Sequence, residues 1–400
     1  MKLEQSLEFM SYVNNEEDVL TVDYDEFYYQ IHNLIDSSKF HSPTAYVEVR
    51  ATGSTPDGDA KAQYWTGSAW ADVAGAAVSW TISGRQRGSG FSLISGAYEY
   101  RIVAKSSSAD SRIKVARIII KDTATTITKS QGQNEICYVV STTLTTYQKK
   151  GAIFLWESAK YDGTLSVFFE AYMYQNKTAG SAASKTAYAC LWDKTADSQV
   201  SGSEVTTTSN SLVRLRSGAI TLTDGHEYVV AIKHTTSGSQ VFLNSGKIIV
   251  EQTGMTKTRL LKHIAFHSWR KGVDGSLDLE SDHYYDPSEF DGYDKATVYE
   301  ASMYEQPGGG PPTPVLPYTS QSDLWRDANF IVVLETTSTV VVRVRSSALT
   351  LLVGNHYTII GNTVSTNYII MTGSWLLIDL TPPAAPPTVI PRRKLIGVGR

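Results

Sequence analysis

Three pairs of arginines, each pair separated by one residue, are the first feature that could carry chemistry. Side chains two positions apart on a β-strand point to the same face, so both guanidinium groups of a pair would lie together. Such a pair could clamp an anion or a carboxylate, or form an inter-subunit ion-pair site. A solvated sheet face with acids on the next strand is the simpler interpretation, and we favour it. The pairs are Arg85/Arg87, Arg214/Arg216 and Arg343/Arg345, with Glu48, Glu170 and Glu300 as their expected partners.

Two aromatic clusters could bind glycans, because exposed planar rings stack on the apolar faces of sugars. In the first cluster, Trp70 falls in an expected turn and is the candidate for exposure. Trp65 shares a repeat position with Trp192 and Trp325, which indicates a core residue. Ordinary packing is the alternative for both clusters. The second cluster consists of Tyr284, Tyr285 and Tyr293.

An acid-rich stretch at residues 274–294 is a candidate calcium site. Calcium takes about six to eight oxygen ligands, and acidic loops supply them. The stretch lacks the glycine and the terminal glutamate that an EF-hand requires. The candidate ligands are Asp274, Asp278 and Asp282, and no other cofactor is expected.

Motifs of nucleophilic catalysis are missing from the sequence, which has neither a Gly-x-Ser-x-Gly elbow nor a Walker loop. His263 and His267 lack the glutamate of a zinc-protease motif and fit a strand better. Cys137 and Cys190 are expected to be buried thiols. We therefore expect a protein that is not an enzyme. Paired carboxylates for glycoside hydrolysis leave no local signature, so a polysaccharide-degrading enzyme using the 274–294 acids stays open.

The chain contains internal repeats, which indicate the elements that position these residues. Val213–Tyr228 recurs as Val342–Tyr357 at an offset of 129, with nine of sixteen positions identical. Phe169–Gln175 matches Tyr299–Glu305 at an offset of 130. A fainter copy precedes them, in which Arg85 and Arg87 stand before Tyr100. A period of this length is the size of a domain rather than of a solenoid repeat.

The repeats predict three consecutive domains at residues 5–122, 130–252 and 257–381, followed by an arm at 382–400. Each copy is rich in alternating β-branched and aromatic segments, such as Leu165–Tyr174, and in polar turns. The predicted fold is all-β, with three tandem β-sandwiches. Strand number and spacing fit a jelly roll or an immunoglobulin-like sandwich, and the long alternating strands joined by sizeable loops favour the jelly roll. Only Asp25–Ser37 could hold a short helix.

Two proline-rich segments depart from the repeat. Residues 306–317 of the third copy form an expected exposed loop, because prolines cannot donate to a strand ladder. The last residues are expected to form an extended arm with a basic end, which suits docking on a neighbouring subunit; a flexible tail is the alternative. The candidate assembly contacts in the arm are Arg392, Arg393 and Lys394.

Composition excludes several classes of protein. Of the 400 residues, 42% are hydrophobic and 19% are charged, which is enough apolar material for packed cores. The net charge of −4 argues against a nucleic-acid partner. The acidic N-terminus does not resemble a signal peptide, and no apolar run is long enough to insert into a membrane. We expect synthesis in a host cytoplasm.

The segment Val213–Tyr228 resembles modules of tailed-phage structural proteins and related jelly-roll domains. The resemblance is good for the second copy, moderate for the third and faint for the first, and it carries no active-site residues. It implies a virion accessory protein, namely a decoration, fibre or tail-associated component. The partners expected are copies of the chain itself, as a trimer or another cyclic oligomer, and other virion proteins. A glycan-binding module that recognises a host cell surface is the alternative.

Overall fold

We describe the protein from a computed structural model. The structure describes residues 3–11, 18–19, 25–26, 32–53, 56–106, 111–122, 124, 127–177, 185–235, 239–255, 260–266, 269–271, 277–284, 294–306, 320–326, 329–336, 341–352, 356–363 and 368–381.

The described residues form six antiparallel sheets, which fall into three consecutive pairs along the chain. We call them sheets I and II (residues 3–122), III and IV (129–253), and V and VI (260–381).

The first pair contains the following strands: β1 (Leu3–Ser11), β2 (Asp18–Val19), β3 (Asp25–Glu26), β4 (Asn33–Asp36), β5 (Pro43–Thr52), β6 (Gly58–Trp65), β7 (Trp70–Trp80), β8 (Gly84–Arg87), β9 (Ala97–Lys105) and β10 (Arg112–Asp122). Sheet I has the order β1-β10-β5-β8 with β2 on β10, and sheet II the order β3-β9-β6-β7 with β4 on β9.

The second pair contains the following strands: β11 (Lys129–Thr142), β12 (Gln148–Leu155), β13 (Thr164–Lys177), β14 (Ala187–Asp193), β15 (Ser198–Gln199), β16 (Val205–Thr207), β17 (Val213–Arg216), β18 (Glu227–His234) and β19 (Ser239–Thr253). Sheet III has the order β11-β19-β13-β17, and sheet IV the order β12-β18-β14-β15 with β16 on β14.

The third pair contains the following strands: β20 (Leu260–Phe266), β21 (Trp269–Lys271), β22 (Leu277–Tyr284), β23 (Asp294–Gln306), β24 (Ser320–Arg326), β25 (Asn329–Thr336), β26 (Val342–Arg345), β27 (His356–Thr363) and β28 (Tyr368–Thr381). Sheet V has the order β20-β28-β23-β26 with β21 on β28, and sheet VI the order β22-β27-β24-β25.

The strand order identifies the fold of the sheet pairs. In the second pair the first strand, β11, lies beside the last, β19, and the second strand, β12, lies beside the next-to-last, β18. This wrapping of a long hairpin into two sheets is the jelly roll. The four-strand paths of the other two pairs run in the same way, with the short strands β2 and β21 added on the last strand of each pair. The prediction of an all-β protein built from jelly-roll-like sandwiches is therefore confirmed.

Alternation along the strands builds the cores. In β5, Val47 and Val49 are buried in a cluster that also contains Tyr100 and Ile102 of β9 in the facing sheet. A second cluster joins sheets III and IV in the same way, around Phe169 of β13 and the strands that face it. Side chains of opposite parity lie on the outer faces of these sheets, where the arginine pairs are found.

A buried tyrosine fixes the entry into the strand that follows each arginine pair. The Tyr100 hydroxyl accepts a hydrogen bond from the backbone N–H of Ile94 at 2.9 Å. Tyr228 does the same with Thr223 at 2.7 Å, and Tyr357 with Leu352 at 2.6 Å. This explains why a tyrosine recurs at the end of the repeated sequence segment.

The described residues of Asp25–Ser37 do not form the expected helix. Residues 25–26 and 33–36 lie in β3 and β4, and a short 3₁₀ turn, Ser37–Lys39, follows them. The side chain of Asp36 caps this turn by accepting from the N–H of Ser38 at 2.9 Å. The strand expected at His263 is present as β20, whereas His267 lies outside the described residues. Within the described part of the chain, no helix is long and apolar enough to cross a membrane.

Both cysteines are buried, as expected. Burial raises the pKa of the Cys190 thiol to about 12, and burial also raises the pKa of Cys137.

We predict that neither thiol of the native protein reacts with Ellman's reagent at pH 8, because reaction requires an accessible thiolate. In guanidinium chloride both thiols should react. A reactive thiol in the native chain would contradict the packing of β11 or β14.

Candidate functional site

The carboxylate of Glu48 is buried on the outer face of sheet I. Glu48 lies between two residues of β5 that point into the core, so alternation turns its side chain to the opposite face. Only 2% of the side chain is exposed. Three arginines surround it: Arg85 and Arg87, each with Nε 2.7 Å from Oε2, and Arg117, with Nη2 2.6 Å from Oε1.

The charge of Glu48 is maintained by these arginines. Burial alone would raise its pKa, because desolvation disfavours a charged carboxylate. The attraction of Arg117, Arg87 and Arg85 outweighs burial and lowers the pKa of Glu48 to about 2. The cluster is therefore an ionised carboxylate held by three guanidinium groups at neutral pH.

Glu170 of β13 has the same place in sheet III. Arg214 Nη1 and Arg216 Nε lie 3.1 Å and 3.0 Å from its Oε2 atom. The register puts Lys247 of β19 opposite Glu170 on the other side. Lys247 is buried, and desolvation lowers its pKa although nearby carboxylates act in the opposite direction.

Sheet V has the same strand register around its glutamate, but one of the two residues opposite the glutamate is not a cation. Glu300 of β23 is paired with Arg345 of β26 on one side. On its other side it is paired with Trp375 of β28. An indole therefore stands at the register position that Arg117 holds in sheet I and Lys247 in sheet III.

The expectation that acids face the arginine pairs is confirmed for Glu48 and Glu170. The expectation of a solvated face is wrong there, because the two residues are only 1% and 3% exposed. The arginine side chains from the neighbouring edge strand lie over each carboxylate and exclude water from it. Register supports the same partnership for Glu300, whose side chain lies outside the described residues.

The cluster around Glu170 is also where the second sheet pair contacts the first. Arg214 Nε lies 3.5 Å from Oε2 of Glu99 in β9. The other oxygen of Glu99 lies 2.7 Å from Nδ1 of His32, and the Tyr172 hydroxyl lies 3.0 Å from the same nitrogen. Burial acts to raise the pKa of Glu99, but His32 and Arg214 outweigh it and the pKa is lowered.

Further polar contacts extend this junction on both sides of Glu99. Lys39 Nζ lies 2.7 Å from Oε2 of Glu251, and Gln133 Nε2 donates to the carbonyl of Leu34 at 2.8 Å. The buried Lys247 ammonium donates to Oδ1 of Asn33. The junction is therefore a network of hydrogen-bonded charges rather than a flexible tether.

The second and third sheet pairs are joined by the equivalent arginine. Arg343 Nε lies 3.2 Å from Oε1 of Glu227 in β18, and Arg345 Nη2 lies 3.4 Å from Oε2 of Glu157. Glu99 and Glu227 directly precede Tyr100 and Tyr228, the buried tyrosines of their strands. The first arginine of a pair thus binds the same repeat position of the preceding sheet pair at both junctions.

The third sheet pair also lies against the first, through contacts between β22 and β10. In the repeat, β22 of the third pair corresponds to β12 of the second, and β10 of the first pair corresponds to β28 of the third. The strands β12 and β28 also contact each other, which joins the second pair to the third. Each sheet pair therefore contacts both of the others.

The structure changes the interpretation of both tryptophans in the first aromatic cluster. Trp70 is not in a turn but begins β7, and it is partly buried. Trp65 was expected in the core, yet 36% of it is exposed. Trp65 ends β6 on the outer face of sheet II, because the residues of β6 that point into the core have the other parity. Repeat position alone therefore misassigned its environment.

The side chains of most other candidate residues are not among those that the structure describes. Tyr284, Asp278 and Asp282 belong to β22, of which only the backbone is described. The remaining candidates lie outside the described residues altogether: Tyr285, Tyr293, Asp274, Arg392, Arg393 and Lys394. Among the described side chains, no group of three or more His, Cys, Asp or Glu residues could hold a metal ion.

Sequence reasoning missed the acids at the junctions. Glu99 and Glu227 precede a repeated tyrosine, so aligning the first two copies at that tyrosine would have revealed them. His32 has no such signal, since its role depends on the packing of one sheet pair on another.

No protein-family model matches the sequence, and no curated protein matches it. Among solved structures, the chain is similar to one described as the triple jelly roll fold and turret assembly in an archaeal virus. That match has 8% identity, a TM-score of 0.20, and covers 95% of this chain and 90% of the other. The chain is also similar to the tandem CBM22-1–CBM22-2 domain of Xyn10C from Paenibacillus barcinonensis, with 12% identity, a TM-score of 0.18, and coverage of 64% and 94%. A third similar structure is the VP2 subviral particle of infectious bursal disease virus, with 7% identity, a TM-score of 0.22, and coverage of 96% and 81%.

We predict that Glu48→Gln destabilises the protein by about 3 kcal/mol, because it leaves three arginines around a neutral amide. Urea unfolding followed by tryptophan fluorescence would measure the loss. Asp197→Asn is the matched control, since Asp197 pairs with Lys149 in an exposed turn and such pairs contribute about 1 kcal/mol or less. Equal effects of the two substitutions would show that the buried cluster contributes no special stability.

The pH dependence of stability should report the same carboxylate. The pKa of Glu48 is about 2 in the folded protein, against the ordinary value of 4.5 that applies to the unfolded chain. A lowered folded-state pKa contributes stability that is complete above the unfolded-state pKa and is lost as pH falls from about 5 towards 2. In that window the free energy of unfolding should fall less steeply for Glu48→Gln than for the unmodified chain. Parallel curves would contradict this assignment.

Proposed function

We propose that the chain is a structural, non-enzymatic component of a virus particle, such as a decoration, fibre or tail-associated protein of a tailed phage. The observation that carries the proposal is the repeated junction contact, Arg214 with Glu99 and Arg343 with Glu227. Sheet pairs fixed to one another by equivalent charged contacts suit a protein whose role is to hold shape.

The chemistry of the junctions supports a rigid rather than a jointed molecule. Interfaces between domains of one chain are commonly small and permit relative motion. Here the Arg214 side chain bridges Glu170 of its own sheet and Glu99 of the preceding sheet pair. A guanidinium that donates to one carboxylate at 3.1 Å and forms an ion pair with the other at 3.5 Å opposes separation of the two sheet pairs.

The identity of the particle is supported by the sequence. The segment Val213–Tyr228 resembles modules of tailed-phage structural proteins, and its Arg214 contacts Glu99 at the junction. Copies of the same chain, as a trimer or another cyclic oligomer, and other virion proteins are the proposed partners. In this proposal Arg392, Arg393 and Lys394 of the basic arm dock on a neighbouring subunit.

Assembly is the first test of the proposal. We expect the full chain to form a defined oligomer in mass photometry and negative-stain images, and a variant lacking residues 382–400 to be monomeric. The circular dichroism spectra of the two should agree, which separates loss of docking from loss of folding. A full chain that stays monomeric at micromolar concentration would contradict the assembly role.

The junction contacts give a second prediction. Glu99→Gln combined with Glu227→Gln should loosen the sheet pairs, because each substitution removes the acceptor charge from a junction arginine. X-ray scattering should show a larger radius of gyration, and limited proteolysis should cut between sheet pairs faster. Global stability should change by only about 1 kcal/mol per contact. Asp197→Asn is again the control, and an unchanged scattering curve would show that other contacts hold the junctions.

A further inference from the structure

We propose that the outer face of sheet II binds a hexopyranose unit of a polysaccharide, which stacks on Trp65 and donates hydroxyl hydrogen bonds to Asp72. This site adds a binding activity to the proposed structural role and does not depend on it. It lies at the end of the β6–β7 hairpin, beside the junction with the second sheet pair.

Two indoles form a corner at this end of the hairpin. Trp65 and Trp70 are directly opposite each other in the ladder, so both lie on the outer face. Their ring centroids are 5.4 Å apart and the ring planes are inclined by 59°. Trp65 is 36% exposed, which makes it one of the few large hydrophobic residues on the described surface.

Trp70 forms the fixed wall of the corner. The guanidinium carbon of Arg101 lies over the Trp70 ring, 4.4 Å from the centroid. The ring of His32 meets Trp70 edge-on at 4.8 Å, and His32 is itself held by Glu99. Trp70 is thus held in place from within the protein, while Trp65 presents its ring at the surface.

A polar network continues from the indole corner along the same face. Asp72 accepts from Lys61 at 2.8 Å and from Gln63 at 2.7 Å, and Gln63 accepts from Arg101 at 2.8 Å. The side chain of Asp72 is 57% exposed. Hydrogen bonds from Lys61 and Gln63 lower the pKa of Asp72, so the carboxylate is ionised at neutral pH. An ionised carboxylate has about four acceptor positions, which leaves room for two hydroxyl donors.

The spacing of these groups fits one sugar ring. Gln63 and Asp72 form the next pair along the outer face after Trp65 and Trp70. Successive same-face positions are about 7 Å apart along a strand. A pyranose that stacks its C–H face on Trp65 would therefore place a pair of ring hydroxyls over Asp72.

The character of the surface favours a carbohydrate over other occupants. Large continuous apolar patches mark surfaces that bind a membrane or form a stable protein interface. Here the exposed indole is followed at once by Lys61, Gln63 and Asp72. One flat apolar surface beside ionised and amide groups complements a molecule with one C–H face and an equatorial rim of hydroxyls.

At the equivalent position of the second sheet pair the tryptophan ring is covered. Trp192 packs beside Tyr147, with the ring centroids 5.8 Å apart. Trp192 is opposite Gln199 rather than a second indole. Lys149 Nζ lies over the Trp192 ring at 5.3 Å, and the indole N–H donates to Asp197 at 3.1 Å. Trp192 is therefore the comparison variant for Trp65, because it has the same repeat position with its ring partly buried beneath a lysine instead of presented at the surface.

Binding of the full chain to soluble glucan, galactan, mannan and N-acetylglucosamine polymers tests the site, by affinity electrophoresis and then by calorimetry with the polymer that binds. Trp65→Ala should weaken binding roughly tenfold, since loss of one stacked ring costs a factor of this order. Asp72→Asn should weaken binding as well, and Trp65→Phe should retain most of it. Trp192→Ala should leave binding unchanged.

Two outcomes would overturn the site. One is that none of the four polymers binds at millimolar sugar concentration. The other is that a polymer binds with equal affinity to the Trp65→Ala, Asp72→Asn and Trp192→Ala variants, which would place the sugar elsewhere. Melting curves of all variants verify folding. Neither outcome affects the assembly test, so failure of the sugar site and failure of the structural role are distinguishable.

Discussion

A buried carboxylate that needs compensating cations is the constraint on which the outer sheet faces depend. Glu48 sits in the middle of a sheet, where an uncompensated charge would cost several kcal/mol. The cations come from both neighbouring strands, Arg117 from β10 and the Arg85/Arg87 pair from β8. This requirement fixes the register on both sides of the strand, since a shift of one residue would turn the arginines to the core.

The same arrangement provides the surface through which the sheet pairs meet. An arginine that satisfies a carboxylate with one nitrogen has further donors to offer. Arg214 donates from its Nη1 atom to Glu170 and forms an ion pair with Glu99 of the preceding sheet pair, with Nε 3.5 Å from the carboxylate. Stability within a sheet and packing between sheets are therefore coupled through one side chain. Contacts of each sheet pair with both others make a compact block from units that each have their own core.

Equivalent repeat positions acquire different roles once the units are packed. Trp65 and Trp192 end equivalent strands, yet one is exposed in an indole corner and the other lies beneath a lysine. Likewise Arg117, Lys247 and Trp375 share a register position opposite the three glutamates. Repetition of the fold preserves backbone positions, while the neighbours of each copy decide what a side chain does there.

The sequence by itself determined the strand content, the period of the repeat and the partnership of Glu48 and Glu170 with the arginine pairs, because these follow from alternation and local self-similarity. It could not determine that the carboxylates are buried, since exposure depends on which side chains from adjacent strands lie over them. Only the tertiary structure decided that Glu99, Glu227 and His32 form junctions between the sheet pairs. Those properties arise between strands and sheet pairs far apart in the chain, and no local pattern of residue types encodes a contact made across such a distance.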